Sequence, residues 1–72
     1  MKIDEPAVNQ IVRVKELASS AGMMVGREHV EARREGATGR VTTFSEGVVF
    51  VKHGDTTGAY WAYELELVGE PA

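Results

Sequence analysis

The chain has 72 residues, no cysteine and a formal charge of −3, with 43% hydrophobic and 26% charged residues. One small core is the most such a length can bury, and a second domain or a deep cleft is excluded. Without cysteine there is neither a disulfide nor a thiolate zinc site, so stability must come from packing or from a partner. The charge is uneven: residues 1–25 balance to zero, residues 26–53 carry five basic and four acidic groups, and residues 54–72 carry four acidic groups with no Lys or Arg. A local basic patch is compatible with this distribution, whereas a whole-molecule attraction to nucleic acid is not.

In chain order, the first element reads as an amphipathic helix over residues 5–21. Asp4 serves as N-cap, Pro6 suits the first turn, and Gly22 supplies a left-handed stop. Ala7, Ile11, Val14, Ala18 and Ala21 recur at spacings of four and three residues, which places them on one face. The competing reading is a strand at Ile11–Leu17, because IVRV is β-branched and alternates. The helix is preferred because both end signals agree with its period.

From Met24 onward short alternating stretches take over. HVEAR (29–33), RVTTFS (40–45), VVFVKH (48–53), AYWAY (59–63) and LELV (65–68) read as five strands. GATG (36–39), SEG (45–47) and GDTTG (54–58) are the turns between them. Residues 69–72 read as a tail, and the whole chain as a single domain. Alternation sorts the strand faces. Val30, Ala32, Val41, Thr43, Val49, Val51, Trp61, Leu65 and Leu67 form the inner set. Glu31, Arg33, Arg40, Thr42, Lys52, Glu64 and Glu66 form the outer one. Phe44, Val48, Phe50 and Tyr60 share the outer parity although they are apolar. The N-terminal helix is their expected cover, lying across the second and third strands.

Gly26, Val30, Gly36, Gly39, Val41, Val49, Val51, Tyr60, Glu64, Leu65, Leu67 and Val68 together resemble the SH3-like small barrels, which include KOW-type and Tudor-like domains. The resemblance covers about residues 24–68 and leaves the helix outside. It implies a mainly β fold, a five-stranded SH3-like barrel preceded by one amphipathic helix, and a binding role. A Tudor-type cage needs loop aromatics, and only Trp61 with Tyr63 approaches that arrangement. A KOW-type contact needs a basic loop, for which Arg33, Arg34 and Arg40 stand among Glu31 and Glu35.

Most chemical motifs fail on context. GATG lacks the Gly-Lys-Ser/Thr and the following helix of a phosphate loop. His29 and His53 each have an acid two residues on, Glu31 and Asp55, but nothing converges to orient an imidazole or complete a metal site. Glu64 and Glu66 read as the solvated side of the last strand. Ser19 and Ser20 lack a nucleophile elbow. Met23 and Met24 read as plugs between helix and barrel, with a hydrophobic contact surface as the lesser alternative. Trp61 is assigned to the core by parity, with binding as the alternative.

The resulting expectation is a non-enzymatic protein-interaction module, an adaptor, accessory subunit or inhibitor of a larger complex. Its partner-binding candidates are Phe44, Phe50, Tyr60, Trp61 and Tyr63, facing a protein partner or a second copy through the outer aromatic face. The alternative is a nucleic-acid-associated barrel using Arg27, Arg33, Arg34, Arg40 and Lys52. No cofactor, metal or membrane partner is expected. No apolar run is long enough to span a bilayer, the N-terminus lacks the apolar core of a signal peptide, and a cytoplasmic location is the default.

Overall fold

A computed structural model describes residues 7–45 and 47–68. The elements are strand β1 (Ile11–Val14), helix α1 (Arg27–Glu31), strands β2 (Thr38–Ser45), β3 (Val48–His53) and β4 (Thr56–Trp61), a 3-10 turn (Ala62–Glu64) and strand β5 (Leu65–Leu67). The strands form one open, fully antiparallel sheet in the order β4-β3-β2-β1-β5. The mainly β character expected from the sequence is present, and five short antiparallel strands are compatible with a small barrel-like fold. No helix of the described residues is long and apolar enough to cross a membrane.

The helix expected over residues 5–21 is not there. Residues 5 and 6 lie outside the described residues, and Ile11–Val14 is an interior strand of the sheet, paired with β2 on one side and β5 on the other. Two local facts decide this. Asn9 takes a left-handed φ of 73°, which breaks any helix running through it. Val12 and Val14, two residues apart, are both fully buried, a period of two rather than four. The alanines of the supposed helical stripe bury too little surface to compete with two core valines.

A second exchange happens at residues 29–33, expected as a strand. Arg27–Glu31 is a short helix instead, entered from Gly26 in extended conformation and closed by Ala32 N–H donating to the Glu28 carbonyl. The sequence therefore has five strands by a different assignment: one lost here, one gained at Ile11–Val14. β3 matches its expected limits, while β4 starts at Thr56 and ends at Trp61, so only Gly54–Asp55 form the turn. Gly54, with φ of 65°, occupies the first central position of this two-residue hairpin, where a positive φ is needed. Glu46 of the preceding hairpin and the tail at 69–72 lie outside the described residues.

The core follows from the pairing. Val12, Val14, Val41, Val49, Val51, Tyr60 and Leu65 form one cluster on the inner face. A register shift between Val41 and Thr43 leaves Thr42 without a partner in the ladder, so the parity of β2 reverses partway along it. Beyond that bulge Phe44 pairs with Val49 on the core side, and Thr43, expected inside, faces out beside Phe50. Leu67, also expected inside, is 64% exposed because β5 is an edge strand of only three residues.

On the opposite face of β3 and β4 a second cluster forms from Met23, Val48 and Ala59, with Val25, Phe50 and Trp61 packed against it. The cover over Phe50 is thus the long β1–β2 connection, residues 15–37, and not an N-terminal helix. His29 of α1 meets the Phe50 ring edge-on, with centroids 5.4 Å apart.

Candidate functional site

The β1–β2 connection is held against the sheet by a buried polar clasp. Glu64, in the 3-10 turn, is fully buried, and Arg33, two residues past α1, is nearly so. Their side chains meet at 2.5 Å. Glu64 Oε2 also accepts the Ala18 N–H, while Oε1 accepts the Trp61 N–H at 2.8 Å. Arg33 Nη2 donates to the Ala18 carbonyl at 3.0 Å, and its guanidinium carbon lies 5.6 Å from the centre of the Tyr60 ring. Both residues were expected on the outer face. Arg33 sits beyond a helix rather than in a strand, and Glu64 sits in a 3-10 turn, so strand alternation applies to neither. A buried charge pair of this kind survives because each partner is further hydrogen-bonded, and removal of one partner would cost about 3–5 kcal/mol.

Tyr60 extends the same network. Its hydroxyl accepts the Arg34 N–H at 3.0 Å and lies 2.8 Å from His53 Nε2. His53 Nδ1 lies 2.8 Å from the Thr38 carbonyl, which can only accept, so Nδ1 carries the proton and Nε2 accepts from the tyrosine. Burial pushes the Tyr60 phenol above its ordinary range, opposed by the Arg34 N–H and by the Arg33 charge. Tyr60 is therefore a core residue, not the outward aromatic expected from parity; it pairs with Val49 on the inner face.

Where the clasp holds the connection against the sheet, a cavity of about 180 Å³ remains on the outer face. Gly22, Met24 and Val25 of the connection line one side, and Ser45, Val48, Phe50 and Trp61 line the other. Met24 stands 87% exposed at its rim. Trp61 is half-buried, and its indole Nε1 donates to the Ser19 carbonyl at 2.8 Å, which fixes the ring plane. A cavity of about 150 Å³ takes a benzene-sized group. Drug-sized ligands need about 300 Å³ or more. The space therefore suits one branched or aromatic side chain.

The aromatic candidates accordingly separate. Phe50 and Trp61 line the cavity together. Phe44 lies on the other face of β2 at the margin of the core, and Tyr63 is exposed in the 3-10 turn without lining the cavity. Val25 and Gly22 were missed as site residues, and Met24 was expected as a contact only in the lesser alternative. Their signal was the adjacent methionine pair, of which Met23 is buried and Met24 is not.

The basic candidates separate as well. Arg33 is withdrawn into the clasp. Arg27 and Arg34 are exposed but belong to different elements of the connection. Arg40 and Lys52 are direct partners across β2 and β3, both exposed, as alternation on those strands implies. No group of three or more His, Asp or Glu among the described residues is arranged to hold a metal ion. Comparison with protein-family models, with curated proteins and with solved structures gives no match.

Proposed function

We propose that this chain is a non-enzymatic protein-interaction module of SH3-like barrel type, an adaptor, accessory subunit or inhibitor whose partner inserts one apolar side chain beside Trp61. The observation that carries the reading is the side-chain-sized cavity on the outer face, walled by a clasped connection and rimmed by the exposed Met24. Exposed Met next to a fixed Trp is the composition of a protein-recognition surface. The SH3-like assignment is supported by Val41, Val49, Val51, Tyr60 and Leu65, five of the positions that carry the resemblance, all of which lie in the core cluster.

Trp61 is the chain's one tryptophan, so its emission reports on the cavity directly. A random peptide library panned against the intact chain should converge on peptides with a shared apolar anchor. Such peptides should change Trp61 emission and bind at least about tenfold more weakly to Met24→Asp. A library that fails to converge, or converges on peptides that leave Trp61 emission and Met24→Asp affinity untouched, would refute the reading. The nucleic-acid alternative keeps Arg40 and Lys52 as its adjacent pair and loses Arg33 to the core.

A further inference from the structure

Arg40 and Lys52 stand directly opposite each other on the outer face of β2 and β3. Like charges in that position destabilise a sheet. One strand away, the same face shows the usual remedy: Arg13 reaches Glu66 through Nε at 2.7 Å and Nη2 at 2.6 Å. Among the described residues the ion pairs are Arg13–Glu66, His29–Glu28 and Arg33–Glu64, and neither Arg40 nor Lys52 takes part in one. Their strand neighbours are Ile11 on β1 and Thr57 on β4, which offer no compensating charge. Together with Gly54 the two cations line a shallow hollow of about 280 Å³.

We infer that this pair is the docking point for a short acidic segment of a partner protein, whose carboxylates supply the anion that the described residues do not bring to it. Charge complementarity selects an acidic ligand. The size of the patch selects a protein segment over nucleic acid, because counterion release scales with the number of phosphates neutralised and two cations neutralise few. Position links it to the cavity: Val48, Phe50 and Lys52 alternate onto the same face of β3, so Lys52 lies about 7 Å along the strand from Phe50 and about 13 Å from Val48 at about 3.3 Å per residue. One extended partner segment reaches both. The inference rests on the protein-module reading for the kind of partner, but the charged contact is separable from the apolar one.

The test uses the intact chain, labelled with nitrogen-15, and two probes at low ionic strength: hexaglutamate and a single-stranded oligonucleotide of equal charge. Hexaglutamate should shift the Arg40, Lys52 and Gly54 amides. Its affinity should fall about tenfold in Arg40→Gln/Lys52→Gln and stay unchanged in Lys15→Gln, an exposed lysine elsewhere on the chain. Lys52→Glu should raise the melting temperature of the free protein while abolishing binding, since it turns a repulsive pair into an attractive one. Loss of affinity in Lys15→Gln equal to that of the double variant, a lowered melting temperature in Lys52→Glu, or tighter binding of the oligonucleotide than of the peptide would each overturn the inference. Hexaglutamate has no apolar anchor, so its failure leaves the Trp61 cavity standing, and failure of the cavity leaves the hexaglutamate result intact.

Discussion

At the scale of single residues, the informative side chains are those whose exposure defies their type. Glu64, Arg33 and Tyr60 are polar or half-polar and buried, whereas Met24 and Leu67 are apolar and exposed. The buried three are tolerated because every one is hydrogen-bonded within the fold. Tyr60 makes this measurable. Its phenol is raised above the ordinary value of 10.0 by burial, so the folded state holds the proton more tightly than the unfolded chain. That contribution is fully present below about pH 10 and is lost as pH rises from there through the folded-state value. Urea midpoints followed from about pH 8 to 11 should therefore fall at the alkaline end. Tyr60→Phe should lower stability by about 1 kcal/mol at neutral pH, because the partly buried Arg34 N–H loses its acceptor. It should also flatten the alkaline limb relative to the parent, and an unchanged alkaline limb would count against the burial of this hydroxyl. Nothing in the alternation of AYWAY marks Tyr60 as internal; the register of β4 against β3 does.

At the scale of elements, the misassignments have a common cause: local pattern competes with pairing. IVRV satisfies both a short helix period and a strand period, and the outcome is set by two neighbouring strands that need a partner between them. HVEAR alternates over five residues yet forms the helical stretch that carries His29 to Phe50 and to the Thr57 carbonyl, 2.8 Å from Nδ1. That contact occupies a carbonyl on the outer edge of β4 and so helps to close one side of the open sheet. The bulge in β2 was equally invisible, since a single unpaired Thr42 does not disturb the sequence pattern, yet it turns Phe44 from the outer face to the inner one. Gly39 shows how closely these elements approach. A Cβ there would lie 2.4 Å from the Lys52 carbonyl and 2.7 Å from Val51 Cγ1. Backbone cannot yield as a flexible side chain would, so Gly39→Ala should cost about 1–3 kcal/mol by overpacking. Thermal melting of that variant beside Gly36→Ala separates the two roles. Gly36 has open space around it and a φ of 85°, so its cost is conformational and about 1–2 kcal/mol.

At the scale of the whole molecule, β1 is the element that joins β5 to the rest of the sheet. It pairs on both sides, and β5 has no other neighbour in the sheet. Deleting residues 1–21 should therefore abolish cooperative unfolding altogether, because the truncation removes Val12 and Val14 from the core and strands β5. Far-ultraviolet and near-ultraviolet dichroism of the truncated chain would test this; a folded, soluble product would show β1 to be dispensable. The sequence by itself determined a small, cysteine-free, mainly β chain, the position of β3, the turn at Gly54 and four of the seven core residues: Val41, Val49, Val51 and Leu65. These were legible because they rest on local rules, namely alternation, turn chemistry and composition. Tertiary structure decided which surface each apolar residue meets: that the β1–β2 connection covers Phe50, that Arg33 and Glu64 pair inside, that Tyr60 faces inward and that Arg40 is left opposite Lys52. Those outcomes depend on contacts between residues distant in the chain, such as the 31-residue separation between Arg33 and Glu64. The physical reason is that a polar side chain can be buried once a partner from elsewhere in the chain satisfies it, and that partner has no signature in the local pattern.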